Sequence, residues 1–171
     1  MTRHSIERII GALNEAGVRY LIVGGLAVVA HGFVRFTADV DLVLEPDREQ
    51  LLKAIEALSK LGYRPRAPVD FRAFADPKSR AAWRDEKGLK VFSTSSNDHP
   101  DTEIDLFLEP PFDFEAAYLG AARMELVPGT FATFVGVREL FGMKRAAGRP
   151  QDLQDIEGLR PLHPTAEAID V

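Results

Sequence analysis

A chain of 171 residues with a formal net charge of −5 and a pI near 5.4 is long enough for one domain with a sizeable core. It is too acidic to coat DNA non-specifically, because such binding rests on lysines and arginines neutralising phosphates. The sequence contains no cysteine, which excludes disulfides, thiolate metal centres and a cysteine nucleophile, and suits a reducing cytosol.

In chain order, Ile6, Ile9, Ile10 and Leu13 recur at helical spacing ahead of Gly17, so an amphipathic helix is expected to open the fold. Val18 to Val23 reads as a buried strand. It runs into Gly24-Gly25, where the missing side chains permit a tight turn and a close approach of backbone to a ligand. Tyr20 to Ala30 is the longest apolar run; it is too short for a bilayer, and MTRHSIERII has no signal-peptide core. A cytoplasmic protein with no membrane partner is expected.

Leu26 to His31 is expected to be a short helix closed by Gly32. The next stretch, RFTADVDLVL, is read as one strand with Arg35, Thr37, Asp39 and Asp41 on one side and Val40, Leu42 and Leu44 on the other. Two carboxylates that close on a core strand repel each other. They require compensating charge, for which a divalent cation is the natural candidate.

Asp47 and Gln50 stand at capping-box spacing before a helix whose apolar stripe is Leu51, Ile55 and Leu58. The segment 64–87, with three prolines and the lone Trp83, is expected to be a long, partly ordered excursion. Leu89 to Ser93 and Glu103 to Leu108 resemble a hairpin, which places Asp105 on a strand, with Glu103 sharing its face. Further strands are expected at 124–127 and 130–134, and helices at 114–122, 137–147 and from Pro150 to about Leu159. The division expected is one domain over 1–160 and a polar C-terminal tail over 161–171.

Taken together, a glycine turn at a helix start and acids on separate strands are the ingredients of a phosphate and metal site. On one helical stripe with Val137, Leu140 and Phe141, Lys144 stands where an apolar residue is expected, so it is read as reaching toward phosphate. Asp152 and Asp155 share a face of the following helix and are assigned to orienting Lys144 or Arg149.

The order Gly24-Gly25, Arg35-x-Thr37-x-Asp39-x-Asp41 and then Asp105, with the late lysine and R-x-x-D-x-x-D element of KRAAGRPQDLQD, resembles the DNA polymerase beta-like nucleotidyltransferases. Within that superfamily it is similar to the small bacterial branch of abortive-infection toxins and minimal nucleotidyltransferases. The resemblance implies an α/β (α+β) fold, a mixed β-sheet with helices packed mainly on one face. It implies transfer of a nucleoside monophosphate from an NTP such as ATP to a hydroxyl of RNA (tRNA among them), of a protein or of a small molecule. Two magnesium or manganese ions would be held by Asp39, Asp41 and Asp105, also the catalytic residues; Gly24, Gly25, Arg35, Thr37 and Lys144 would contact nucleotide and phosphate. Gly25 stands where many members have serine. The alternative is a non-catalytic nucleotide- or partner-binding member of a toxin–antitoxin-type pair.

Overall fold

The computed structural model describes residues 1–166. Its framework is a seven-stranded mixed sheet in the order β3-β4-β5-β2-β1-β7-β6, flanked by helices. The strands are β1 (Tyr20–Val23), β2 (Asp39–Leu44), β3 (Arg64–Pro65), β4 (Val91–Ser95), β5 (Glu103–Phe107), β6 (Ala122–Val127) and β7 (Thr130–Phe134). The helices are α1 (Arg3–Glu15), α2 (Gly24–Ala30), α3 (Arg48–Lys60), α4 (Pro77–Lys87), α5 (Phe114–Leu119), α6 (Val137–Ala147) and α7 (Pro150–Leu159). Among the described residues no helix is long and apolar enough to cross a membrane.

The central strand is β2. It pairs antiparallel with β1 and parallel with β5, so that Asp39 lies beside Glu103 and Asp41 beside Asp105. Strands β4 and β5 form the expected hairpin, and β7 joins β1 in parallel. The alternation along β2 turns Val40, Leu42 and Leu44 into the core, while Asp39 and Asp41 are only partly buried. Around them the core is aliphatic at the sheet centre, with Ile22, Leu42 and Leu106 in adjacent strands and fully buried.

Local signals explain most boundaries. The Thr2 side chain accepts from Ser5 N to start α1, and Gly148 in the left-handed region ends α6. Asp47 caps α3 by accepting from the backbone N–H groups of Glu49 and Gln50. Gln50 does not complete a capping box; its Oε1 accepts from Arg19 N at 2.8 Å and ties α3 to the start of β1.

Two expectations change. The polar row does not lie wholly on a strand, because β2 begins at Asp39 and 32–38 runs without strand pairing. Segment 64–87 is ordered: it contributes edge strand β3, a 3-10 turn over Phe71–Ala75 and α4. Trp83 anchors it, its ring centroid 4.9 Å from that of Phe92 in a cluster with Phe71 and Phe74, so the indole serves packing. Beyond α7, residues 160–163 contact the body. Arg160–Leu162 form a 3-10 turn, and His163 Nε2 lies 2.8 Å from the carbonyl oxygen of His31. The remainder of the expected tail, 167–171, lies outside the described residues.

Leu42→Ala tests the centrality of β2. The substitution empties space between two neighbouring strands and is expected to lower unfolding free energy by about 2–5 kcal/mol in urea denaturation, with the slope against denaturant unchanged.

Candidate active site

At the junction of β1 and α2, Gly24 has φ +63°, and a Cβ there would overlap the carboxylate of Asp41. A Cβ on Gly25 would stand 2.5 Å from Thr37 Oγ1 and 2.7 Å from Arg35 Nη2. The two glycines therefore let two different segments press against one turn, Asp41 from β2 and the Arg35–Thr37 stretch that precedes it. Parallel pairing of β2 and β5 brings Asp105 beside Asp41 on the same sheet face, with Asp39 and Glu103 one step away.

These groups open into a cleft of about 490 Å³ whose walls include Gly24, Asp41, Asp105, Lys144 and Arg149. A larger hollow of about 640 Å³ lies between α1 and α3, lined by Glu7, Arg8, Lys53, Glu56 and Lys60. It contains none of the residues that the sequence marks for chemistry, so size does not decide the site; convergence of chemistry does.

Electrostatically the cleft is divided. Burial, then the charges of Asp105 and Asp39, push the Asp41 carboxyl up to about 6, although Lys144 and Arg149 pull it down. Asp39 is raised as well, by burial first and then by Asp105 and Glu103. Asp105 Oδ1 is buried with no hydrogen-bond partner. Among the described residues no three His, Cys, Asp or Glu side chains already stand in a metal-holding arrangement.

Behind the acids lies a ladder of alternating charge. Arg35 Nε is 2.8 Å from Asp155 Oδ1, and Lys144 Nζ is 2.8 Å from Asp155 Oδ2 and 3.0 Å from Asp152 Oδ1. Arg149 Nε closes the row, 2.7 Å from Asp152 Oδ2. Both acids are buried, as is Lys144. Burial would raise Asp152, but the bonds from Arg149 and Lys144 outweigh it and hold the carboxyl at about 2.

The structure thus gathers Gly24, Asp41, Asp105 and Lys144 around one cleft. Arg35 and Thr37 stand against Gly25, and Asp39 lies two residues along β2 from the Asp41–Asp105 pair, on the same face. Arg35, expected to contact nucleotide and phosphate, is paired with Asp155 of α7. His31 Nε2 is hydrogen-bonded to the carbonyl oxygen of Val135 at 2.7 Å, and burial lowers its pKa, so it is a packed histidine joining α2 to the end of β7. Sequence reasoning missed Lys90, Phe107 and Met143 as cleft residues. Phe107 was within reach, two positions after Asp105 on the same face of β5.

No known family profile and no curated protein matches the chain. Two solved structures of the antibiotic-resistance factor ANT(2'')-Ia do. The solution structure superposes with a TM-score of 0.59 at 16% identity, over 97% of this chain and 84% of that one. The crystal structure in complex with adenylyl-2''-tobramycin gives 0.53 at 18% identity, over 97% and 90%. At this identity the likeness speaks for the fold alone: the chain shares the mixed α/β architecture of ANT(2'')-Ia.

Two substitutions test these electrostatics. Because Asp41 has its pKa raised on folding, the folded state holds its proton more tightly, so this group weakens stability as pH rises from about 4 to about 6 and above. Asp41→Asn is expected to stabilise the protein by roughly 1–3 kcal/mol at pH 7.5 and by almost nothing below pH ~4, measured by denaturation across pH. Asp155→Ala leaves Arg35 and Lys144 short of a counter-charge and should cost about 3–5 kcal/mol in the same assay.

Proposed function

We propose that this chain is a metal-dependent nucleotidyltransferase that moves a nucleoside monophosphate from an NTP to a hydroxyl of a small-molecule acceptor. The observation that supports it most is the convergence of the Gly24 turn, Asp41, Asp105 and Lys144 on one cleft, from four separate elements. Supporting it at the level of fold is ANT(2'')-Ia, an aminoglycoside nucleotidyltransferase whose crystal complex contains adenylyl-2''-tobramycin. A small-molecule acceptor is preferred over tRNA because the chain is acidic overall.

The residues suit a divalent ion of the magnesium or manganese kind, which takes oxygen ligands. Asp39, Asp41 and Asp105 would hold it: their carboxylates crowd one another, and a buried oxygen of Asp105 lacks a partner. When bound, such an ion neutralises triphosphate charge and lowers the pKa of an attacking hydroxyl.

The chain's own groups account for the rest. In the proposed transfer, the acceptor oxygen forms a bond to the α-phosphorus, the bond from that phosphorus to the β-phosphate oxygen breaks, and pyrophosphate leaves. Asp105 takes the acceptor's proton. Lys144 offers fixed positive charge from the cleft wall, held in place by Asp152 and Asp155. Thr37 and Arg35 support the glycine turn on which the phosphates would rest.

The test is transfer of label from α-labelled NTPs to a panel of hydroxylated small molecules, with RNA and protein acceptors alongside. Wild type with magnesium or manganese is expected to transfer label and to lose activity on chelation. Asp41→Asn and Asp105→Asn should fall by at least about 10²-fold while remaining folded. Absence of both label transfer and metal-dependent NTP binding would sink the proposal, and so would variants as active as wild type. Metal-dependent binding without transfer would instead favour the non-catalytic nucleotide-binding reading.

A further inference from the structure

Only half of the cleft is polar. Beyond Asp105 its walls change character: Val91 and Phe107, cross-strand neighbours on β4 and β5, form one side, and Leu140, Met143 and Ala147 of α6 form the other. Met143 and Lys144 are adjacent in sequence, and Ala147 follows Met143 and Lys144 at helical spacing, so one helix supplies both the fixed cation and the apolar wall. On β5 the same alternation carries the surface from Asp105 to Phe107, about 7 Å along the strand.

Resting on the nucleotidyltransferase reading, we propose that this apolar half is the nucleobase pocket and that it holds the base by its faces, with little discrimination among the four bases. Phe107 and Met143 line this half, and a planar ring held against them would be held by aromatic stacking and sulfur–aromatic contact, both indifferent to the pattern on the ring's edge. Reading an edge requires donors and acceptors set against it. Among the side chains lining this half, Lys90 is the one hydrogen-bonding group, and an ammonium only donates. The base edges therefore face the cleft mouth and water.

The placement also separates base from acceptor. A hydroxyl-rich acceptor in the apolar half would lose water without gaining partners. In the opposite direction along β5, Glu103 accepts from Arg66 Nη1 at 2.9 Å, and Asp39 lies beside it, which offers polar groups instead. The base takes the Phe107 end, and the acceptor approaches from the Glu103 end.

Calorimetric titration of the full chain with ATP, GTP, CTP and UTP in magnesium tests this pocket apart from catalysis. Wild type is expected to bind all four within about tenfold of one another. Phe107→Ala should weaken each of them by a similar factor, about tenfold or 1.4 kcal/mol, and Phe107→Tyr should bind like wild type. Thermal melts check folding; if Phe107→Ala unfolds, Met143→Ala serves in its place, with the same uniform weakening expected. A preference above tenfold for one nucleotide overturns the inference, as does a folded Phe107→Ala or Met143→Ala that binds as wild type does. In either case the nucleotidyltransferase reading stands. If wild type binds no nucleotide at all, both fall together.

Discussion

The arrangement depends on one pairing: β2 and β5 run parallel and in register, so Asp41 and Asp105 stand on neighbouring strands. Neighbouring strands lie about 4.8 Å apart. Two ionised carboxylates at that separation repel by roughly 3 kcal/mol at an effective dielectric near 20. A fold selected for stability alone would place apolar residues there. This one keeps the acids and leaves Asp41 titrating near 6, with burial as the larger cause and Asp105 as the next. Gly24 is drawn into the same constraint, because any side chain at that position would displace the Asp41 carboxylate from the turn.

The strain is contained by the ladder behind it. Three cations, Arg35, Lys144 and Arg149, alternate with two acids, Asp155 and Asp152, so the ladder has an excess of one positive charge. That excess faces the acids of the sheet, and two of the cations act directly to lower Asp41. The ladder also joins distant parts of the sequence. Arg35 precedes β2, Lys144 belongs to α6 and both acids belong to α7. Phe33 packs against Gly158 and His163 is bonded to the carbonyl of His31, so the end of the chain clasps the segment between α2 and β2. With no strand partner of its own, that segment gets its shape from α7.

This division explains what the sequence made legible. Apolar patterning located α1, α3 and α6 by their buried stripes, and β1, β2, β4, β5, β6 and β7 within a few residues, whereas the two-residue edge strand β3 carries no such pattern. Asp39 and Asp41 stood out as acids inside an apolar strand, and Lys144 as a cation inside an apolar stripe. Other contacts were hidden for physical reasons. That Arg35 would meet Asp155 depends on how α7 crosses the sheet, and no local periodicity encodes a crossing. The 64–87 segment read as only partly ordered because its anchors lie beyond the segment itself, in the aromatic cluster with Phe92 and the pairing of β3 with β4. Gln50 matched a capping pattern yet bonds to Arg19 N, since tertiary contact outbid a local one.

The same logic bears on the exposed residues of the 32–38 segment. Along an extended chain alternate side chains point opposite ways: Phe33, Arg35 and Thr37 turn inward to Gly158, Asp155 and Gly25, which leaves Val34 and Phe36 more than four-fifths exposed. Their exposure is therefore a consequence of the inward set. Moving the register by one residue would bury the two apolar side chains, but it would take Arg35 from Asp155 and Thr37 from the glycine turn. Leaving two large side chains in water is tolerated because the alternative leaves the buried Asp155 with Lys144 alone, a cation it shares with Asp152, and an under-compensated buried charge costs more than two exposed apolar side chains.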